Sequence, residues 1–124
     1  MEQAKLDKIL ENHKLWLKTN GKQGERANLS YSNLSDSDLS YSNLRGSDLS
    51  YSNLDYSAFP LWCGGLDVHI DDKQATQLLY HLIRNVKYSK NTSKALKKIC
   101  RIKSLVNQAN KFHRVEECGE INDD

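Results

Sequence analysis

Cysteine is scarce in this chain and odd in number. Cys63, Cys100 and Cys118 form no Cys-x-x-Cys pair, so neither a disulfide framework nor a standard zinc module is indicated, and a reducing cytoplasm suits the chain. Cys63 and His69 could be combined with His113 and Cys118 as a Cys₂His₂ set, but their spacings are not those of a zinc module, and no metal is expected. Long apolar runs are also missing. Nothing approaches the roughly 18–20 apolar residues of a membrane span, so no membrane is expected as partner. Met1 to Leu17 mixes Lys and Glu with apolar residues at helical spacing, which reads as an amphipathic helix rather than a signal peptide. No glycine-rich phosphate loop, metalloprotease pattern or nucleophile elbow occurs. The chain is therefore expected to bind rather than catalyse, and to need no cofactor. Hydrophobic residues make up only 38% of 124, enough for one compact, regular core.

Charge is distributed in blocks behind a net value of +2. Residues 1–26 carry six Lys/Arg against four Asp/Glu, and residues 27–61 one against four. Residues 62–115 carry eleven against three, and residues 116–124 carry five acids and no base. The reading is a mildly acidic middle, a basic section and an acidic tail.

What is abundant is a five-residue period. Leu29, Leu34, Leu39, Leu44, Leu49 and Leu54 are followed by Phe59 in the seventh place. Two residues before each stands Ala27, Ser32, Ser37, Ser42, Ser47, Ser52 or Ser57. One residue before stands Asn or Asp, except at Ala58. On an α-helix this period advances each Leu by about 140° and scatters the set around the cylinder. On a flat strand it alternates faces. Only a chain that turns a corner at every pentad keeps every Leu inside, with the small residue two earlier beside it. Four such pentads close one square coil, and stacked coils pair their backbone groups with those above and below. A Ser-rich flexible linker has the composition but no reason for the ladder.

The pentads Ala-Asn-Leu-Ser-Tyr, Ser-Asn-Leu-Ser-Asp, Ser-Asp-Leu-Ser-Tyr and Ser-Asn-Leu-Arg-Gly resemble the A(D/N)LXX signature of pentapeptide-repeat proteins over residues 27–61. The fold class expected is mixed α+β: a short quadrilateral β-helix of about two coils, right-handed by the resemblance, with helical caps. The resemblance is to short phage or prophage members with helical flanks. It implies an inhibitor or counter-defence factor in the bacterial cytoplasm, acting on a host protein. Some relatives resemble acidic, DNA-mimicking inhibitors of a DNA-binding enzyme. Here the rod would be only about 8–9 Å long at ~4.8 Å per coil, too short for that role.

The flanks supply the caps that open coil ends require. In residues 1–26, Leu6, Ile9, Leu10, His13 and Leu17 mark a helix face with Trp16 beside it. His13 is read as a packed cap residue, and Asn20, Gly21 and Gly24 turn the chain. Pro60 breaks the repeat, Leu61 to Gly65 turns, and Leu66–Ile70 alternates as a short strand. Residues 62–115 also hold two helices. One is capped by Asp71, with a stripe of Ala75, Leu78, Leu79, Leu82, Ile83 and Val86. The other is capped by Thr92 or Ser93 and runs to about His113, with Ala95, Ile99, Ile102, Val106 and Ala109 inward.

Two surfaces are candidate binding sites. Tyr31 under Tyr51, with Tyr41 and Tyr56, forms an aromatic set on the coil, read either as packing between coils or as a partner stripe. Lys73, Tyr80, Arg84 and Lys87 share one helix face, and Lys97 and Arg101 lie on the next helix. Those cations allow an alternative function, nucleotide or nucleic-acid binding with Tyr80 stacking on a base. The acidic tail could instead fold back on them. A homodimer through the C-terminal helices would add burial that two short coils lack.

Overall fold

The computed structural model describes residues 1–122. It comprises two compact units, the first ending at Asp71 and the second beginning at Asp72. No helix among the described residues is long and apolar enough to cross a membrane.

The first unit opens with α1, Gln3–Lys18. Its apolar face caps the leucine interior: Leu6 joins Leu29, Leu34, Leu39, Leu44 and Leu49 in one buried cluster, with Ile9 and Leu10 packed against it. The return from α1 needs Gly24, which sits at φ +72°. A Cβ there would strike the backbone of Asn12 and lie 2.8 Å from the Trp16 nitrogen, so only glycine fits.

The repeats circulate as short bridged turns. The Leu29 amide donates to the Asp48 carbonyl at 2.8 Å, Leu34 to Asn53 at 2.9 Å and Leu39 to Ala58 at 2.8 Å. Asn28 faces Asp48, Asn33 faces Asn53 and Asp38 faces Ala58 in parallel bridges, each joining positions four pentads apart. The inward small residue is explained by Ser47 and Ser52, whose buried hydroxyls donate to the Leu44 and Leu49 carbonyls at 2.6 Å. A larger side chain would displace leucine, and an unpaired hydroxyl would be costly there. The outward Asn/Asp fixes the next corner: Asn28 Oδ1 accepts from the Ser30 amide at 3.1 Å and from its hydroxyl at 2.5 Å, and Asp48 does the same for Ser50.

The expected β-helix, and with it the mixed α+β class, is corrected. Among the described residues there is no β-strand and no sheet, only isolated bridges, and the chain is mostly helix and coil. The reason lies in the shortness of the period. From Leu34 to Ser57 a turn bond runs from each small residue back to the preceding Leu, as from Ser37 to Leu34 at 3.1 Å and from Ser47 to Leu44 at 2.8 Å. The residue before it takes a left-handed φ at Tyr31, Asp36, Gly46, Tyr51 and Tyr56. That is the third position of a type II turn. Turn geometry consumes most of each pentad, and one residue per side is left to bridge. The short strand expected at Leu66–Ile70 is corrected likewise: His69 makes a single parallel bridge to Asp48.

The second unit holds α2 (Asp72–Tyr88), α3 (Lys94–Lys97), a 3-10 turn at Lys98–Arg101, α4 (Lys103–Ala109) and α5 (Val115–Cys118). Ser93 caps α3, its hydroxyl accepting from the Leu96 amide at 3.1 Å. The single helix expected from there to about His113 is broken at Ile102, which is extended (φ −83°, ψ 98°). On a straight α-helix Val106 and Phe112, six residues apart, would point about 120° away from each other. The broken path wraps both, with Ala109 and Ile121, around Tyr80 and Ile83 of α2, so tertiary packing overrides the local period.

Candidate functional site

On the repeat unit the four candidate tyrosines are all exposed, but they do different things. Tyr31 and Tyr51 stack across one coil, with centroids 5.0 Å apart and planes 16° from parallel. Tyr56 is exposed at a left-handed corner of its own. Tyr41 is absent from the left-handed set, and its corner is where the regular winding fails.

The failure is a slip in count. The first three bridges join positions four pentads apart, whereas Asp48 faces His69, one position further along. One extra residue has entered the side that follows Pro60. There the Leu44 amide reaches the Gly64 carbonyl at 2.7 Å and the Gly46 amide reaches Asp67 at 2.9 Å. A 3-10 turn at Cys63–Gly65 takes up the surplus. It requires Gly64, because a Cβ there would lie 2.7 Å from the Ser42 carbonyl and inside the Trp62 ring. The surplus is expelled outward. Leu61 is 94% exposed and Trp62 47% exposed. With Tyr41, Ser40 and Phe59 they line an open apolar cleft of about 560 Å³.

Asp38 borders this corner through Ser40, while Asp48 stands on another wall, opposite Asn28 and His69. Asp38 and Asp48 are held below the usual carboxylate range, first by the Ser40 and Ser50 hydroxyls and then by the amides of the same serines. Leu61 and Trp62 are not among the sequence candidates. The signal that could find them is an apolar pair between a repeat-breaking proline and a Gly-Gly turn, in a segment where the ladder has already ended.

In the second unit Lys73, Tyr80, Arg84 and Lys87 lie on α2, Lys97 ends α3 and Arg101 ends the 3-10 turn. Tyr80, expected among exposed cations, is 3% exposed and packs on Phe112 with centroids 4.7 Å apart. This is a correction with a clear cause. The buried face of α2 is Gln74, Thr76, Tyr80, Ile83 and Val86, rotated from the expected stripe, so that Ala75, Leu78 and Leu82 are exposed. Polar members of the true face are satisfied inside: Gln108 Nε2 donates to Thr76 Oγ1 at 2.9 Å, and the Tyr80 hydroxyl donates to the Gly119 carbonyl at 2.5 Å.

The cations are turned to the unit's own main chain. Arg84 donates to the Tyr80 hydroxyl at 2.8 Å and the Cys118 carbonyl at 2.6 Å, and its guanidinium lies 5.6 Å from the Tyr80 ring centroid. Lys87 donates to the Asn122 carbonyl. Lys97 donates to the Val86 carbonyl at 2.8 Å and to that of Ser89, where the end of α2 leaves acceptors open. Lys73 and Arg101 are exposed. The tail does fold back, as far as Asn122, with main-chain carbonyls accepting from Arg84 and Lys87 and Glu117 paired with Arg114 at 2.7 Å; Asp123 and Asp124 lie outside the described residues. Among the described residues no group of three or more His, Cys, Asp or Glu is placed to hold a metal ion.

Comparison with protein families gives one match: a model of pentapeptide repeats fits residues 26–59, in eight copies. Neither the curated proteins nor the solved structures give a match. The matched segment is the leucine-lined, turn-by-turn coil of the first unit, and over that segment the chain carries pentapeptide repeats.

Proposed function

We propose that the chain is a non-catalytic binding protein that engages a protein partner through the apolar corner of Tyr41, Phe59, Leu61 and Trp62. The observation that carries this reading is Leu61, almost wholly in water just before a turn that backbone hydrogen bonds hold in place. A fixed aromatic and aliphatic cluster loses little freedom on docking, and Trp and Tyr are the side chains that most often anchor protein interfaces. A protein partner is favoured over nucleic acid at this corner because the ionised Asp38, bonded to Ser40 of the cleft, opposes phosphate.

The narrower role, a phage- or prophage-borne inhibitor or counter-defence factor acting on a host protein in the bacterial cytoplasm, draws on the family resemblance and gains no support from the geometry. The nucleotide-binding alternative loses three of its cations to internal carbonyls. A homodimer through the C-terminal helices has one observation in its favour, the exposed Ala75, Leu78 and Leu82 on one face of α2, and light scattering tests it.

The test of the main reading is affinity capture from bacterial lysate with the wild-type chain and with Leu61→Asp, alongside thermal unfolding of both. A protein retained by the wild type and lost from an equally stable Leu61→Asp supports the proposal. No reproducible partner, or the same partners on both baits, overturns it.

A further inference from the structure

The C-terminal segment of the second unit is held in an unusual way. Past α5 the chain runs without helix from Gly119 to Asn122, and four side chains of α2 and its neighbour fasten it. Arg84 donates to the Cys118 carbonyl, Tyr80 to the Gly119 carbonyl and Lys87 to the Asn122 carbonyl. Asn110 pairs with both sides of one residue, Nδ2 donating to the Ile121 carbonyl at 3.1 Å and Oδ1 accepting from the Ile121 amide at 2.8 Å. Every one of these contacts falls on main-chain atoms of the segment.

Side chains that read only a peptide's main chain are the means by which proteins bind segments of varied sequence. An amide that pairs with one residue's N–H and C=O at once copies the edge of a strand. Selectivity rests on two positions. Ile121 is 6% exposed and enters the core with Tyr80, Ile83, Val106 and Phe112, so an aliphatic side chain is required there. Gly119 takes φ +98°, a region that favours glycine. Glu120 and Asn122 between and after them are exposed and are not selected.

We propose that α2 and Asn110 form a peptide-binding groove, filled in this chain by its own residues 118–122, for short segments that carry Gly two positions before an aliphatic residue. The tether gives the internal segment an effective concentration on the order of millimolar. An external peptide therefore competes only when the internal one lets go. This site is separate from the apolar corner of the repeat unit, and neither reading depends on the other.

The probe is a fluorescein-labelled peptide of residues 117–124 with Cys118→Ser, added to the full-length chain. Full-length Ile121→Ser, which weakens the internal anchor, is expected to bind it at least tenfold more tightly than the wild type. Adding Asn110→Leu to that variant is expected to abolish binding, as is replacing the peptide's own isoleucine by aspartate. Failure of a helical, folded Ile121→Ser to bind the peptide saturably overturns the proposal, as does equal binding by the Asn110→Leu combination. If Ile121→Ser does not fold, hydrogen exchange on the wild type decides. The Ile121 amide should exchange by local opening at least tenfold faster than the Ile83 amide in α2. Exchange of both at one rate overturns the proposal.

Discussion

The Ala27 amide donates to Nδ1 of His13 at 3.0 Å. Through Nε2 the same ring donates to the Arg45 carbonyl at 2.8 Å. One buried imidazole thus joins the capping helix to the first repeat and to a later corner of the coil. The pairing demands the neutral ring, with its proton on Nε2, since Ala27 needs Nδ1 as an acceptor. Burial holds the imidazole below its ordinary 6.5; the Arg45 carbonyl pulls the other way, and the nearby Arg26 charge adds to the lowering.

A pH dependence follows. Because the folded ring resists protonation and the unfolded ring does not, the unfolded state binds more protons at mildly acid pH. The contribution of His13 is therefore fully present above about pH 6.5 and is lost as pH falls through the lower folded value. Urea unfolding at pH 7.5 and at pH 5.5 should show the wild type less stable at the lower pH. His13→Gln should be less stable at both and show a smaller difference between them.

Leu44 and Leu61 should separate the interior from the surface of the same coil. Leu44→Ala removes a fully buried side chain and is expected to cost about 2–5 kcal/mol. Leu61→Ser, at an exposed position, is expected to change stability by about 0.5 kcal/mol or less. Denaturant midpoints with matched slopes measure both. Equal losses would mean that Leu61 is packed.

The stacked pair Tyr31 and Tyr51 should be coupled. A double-mutant cycle to alanine is expected to give an interaction of about 0.5–1.5 kcal/mol, whereas Tyr31 with Tyr41 should give about zero. The same cycle run on partner binding, once a partner is in hand, would tell whether the stack also serves recognition.

Lys97 offers a contrast with Lys73 on the basic section. Lys97→Met takes this donor from the Ser89 carbonyl just past α2 and leaves the Val86 carbonyl only the Thr92 hydroxyl, and is expected to cost about 1–2 kcal/mol. Lys73→Met, at an exposed site, should fall within about 0.5 kcal/mol of the wild type. Thermal unfolding checks the order.

Much of the first unit is readable from residue order, because its rule is local. The leucine spacing requires a closed circuit, and the partners of Asn28 and Asn33 lie where a circuit of four pentads places them. The character of that circuit is not readable: strand and turn propensity do not reveal that the corner at each left-handed residue uses nearly the whole pentad. The second unit is legible only in outline. Periodicity misplaces the buried face of α2 because Thr76 and Tyr80 look polar until Gln108 and Gly119 are in reach. Those partners lie 32 and 39 positions away along the chain, beyond any local pattern. Leu61 and Trp62 are hidden for another reason: they read only as part of a turn, and the slip in count that leaves them no room inside shows only in the structure.

That slip is confined to one wall. Val68, beyond it, again packs against the leucines, and parallel bridging resumes between His69 and Asp48. The stretch from Leu61 to Leu66 therefore works like a detachable fingertip. Apart from Gly64 and Gly65, its lettering can change while the spiral beneath keeps its thread, so new binding specificities could be grafted at Leu61 and Trp62 without refolding what supports them.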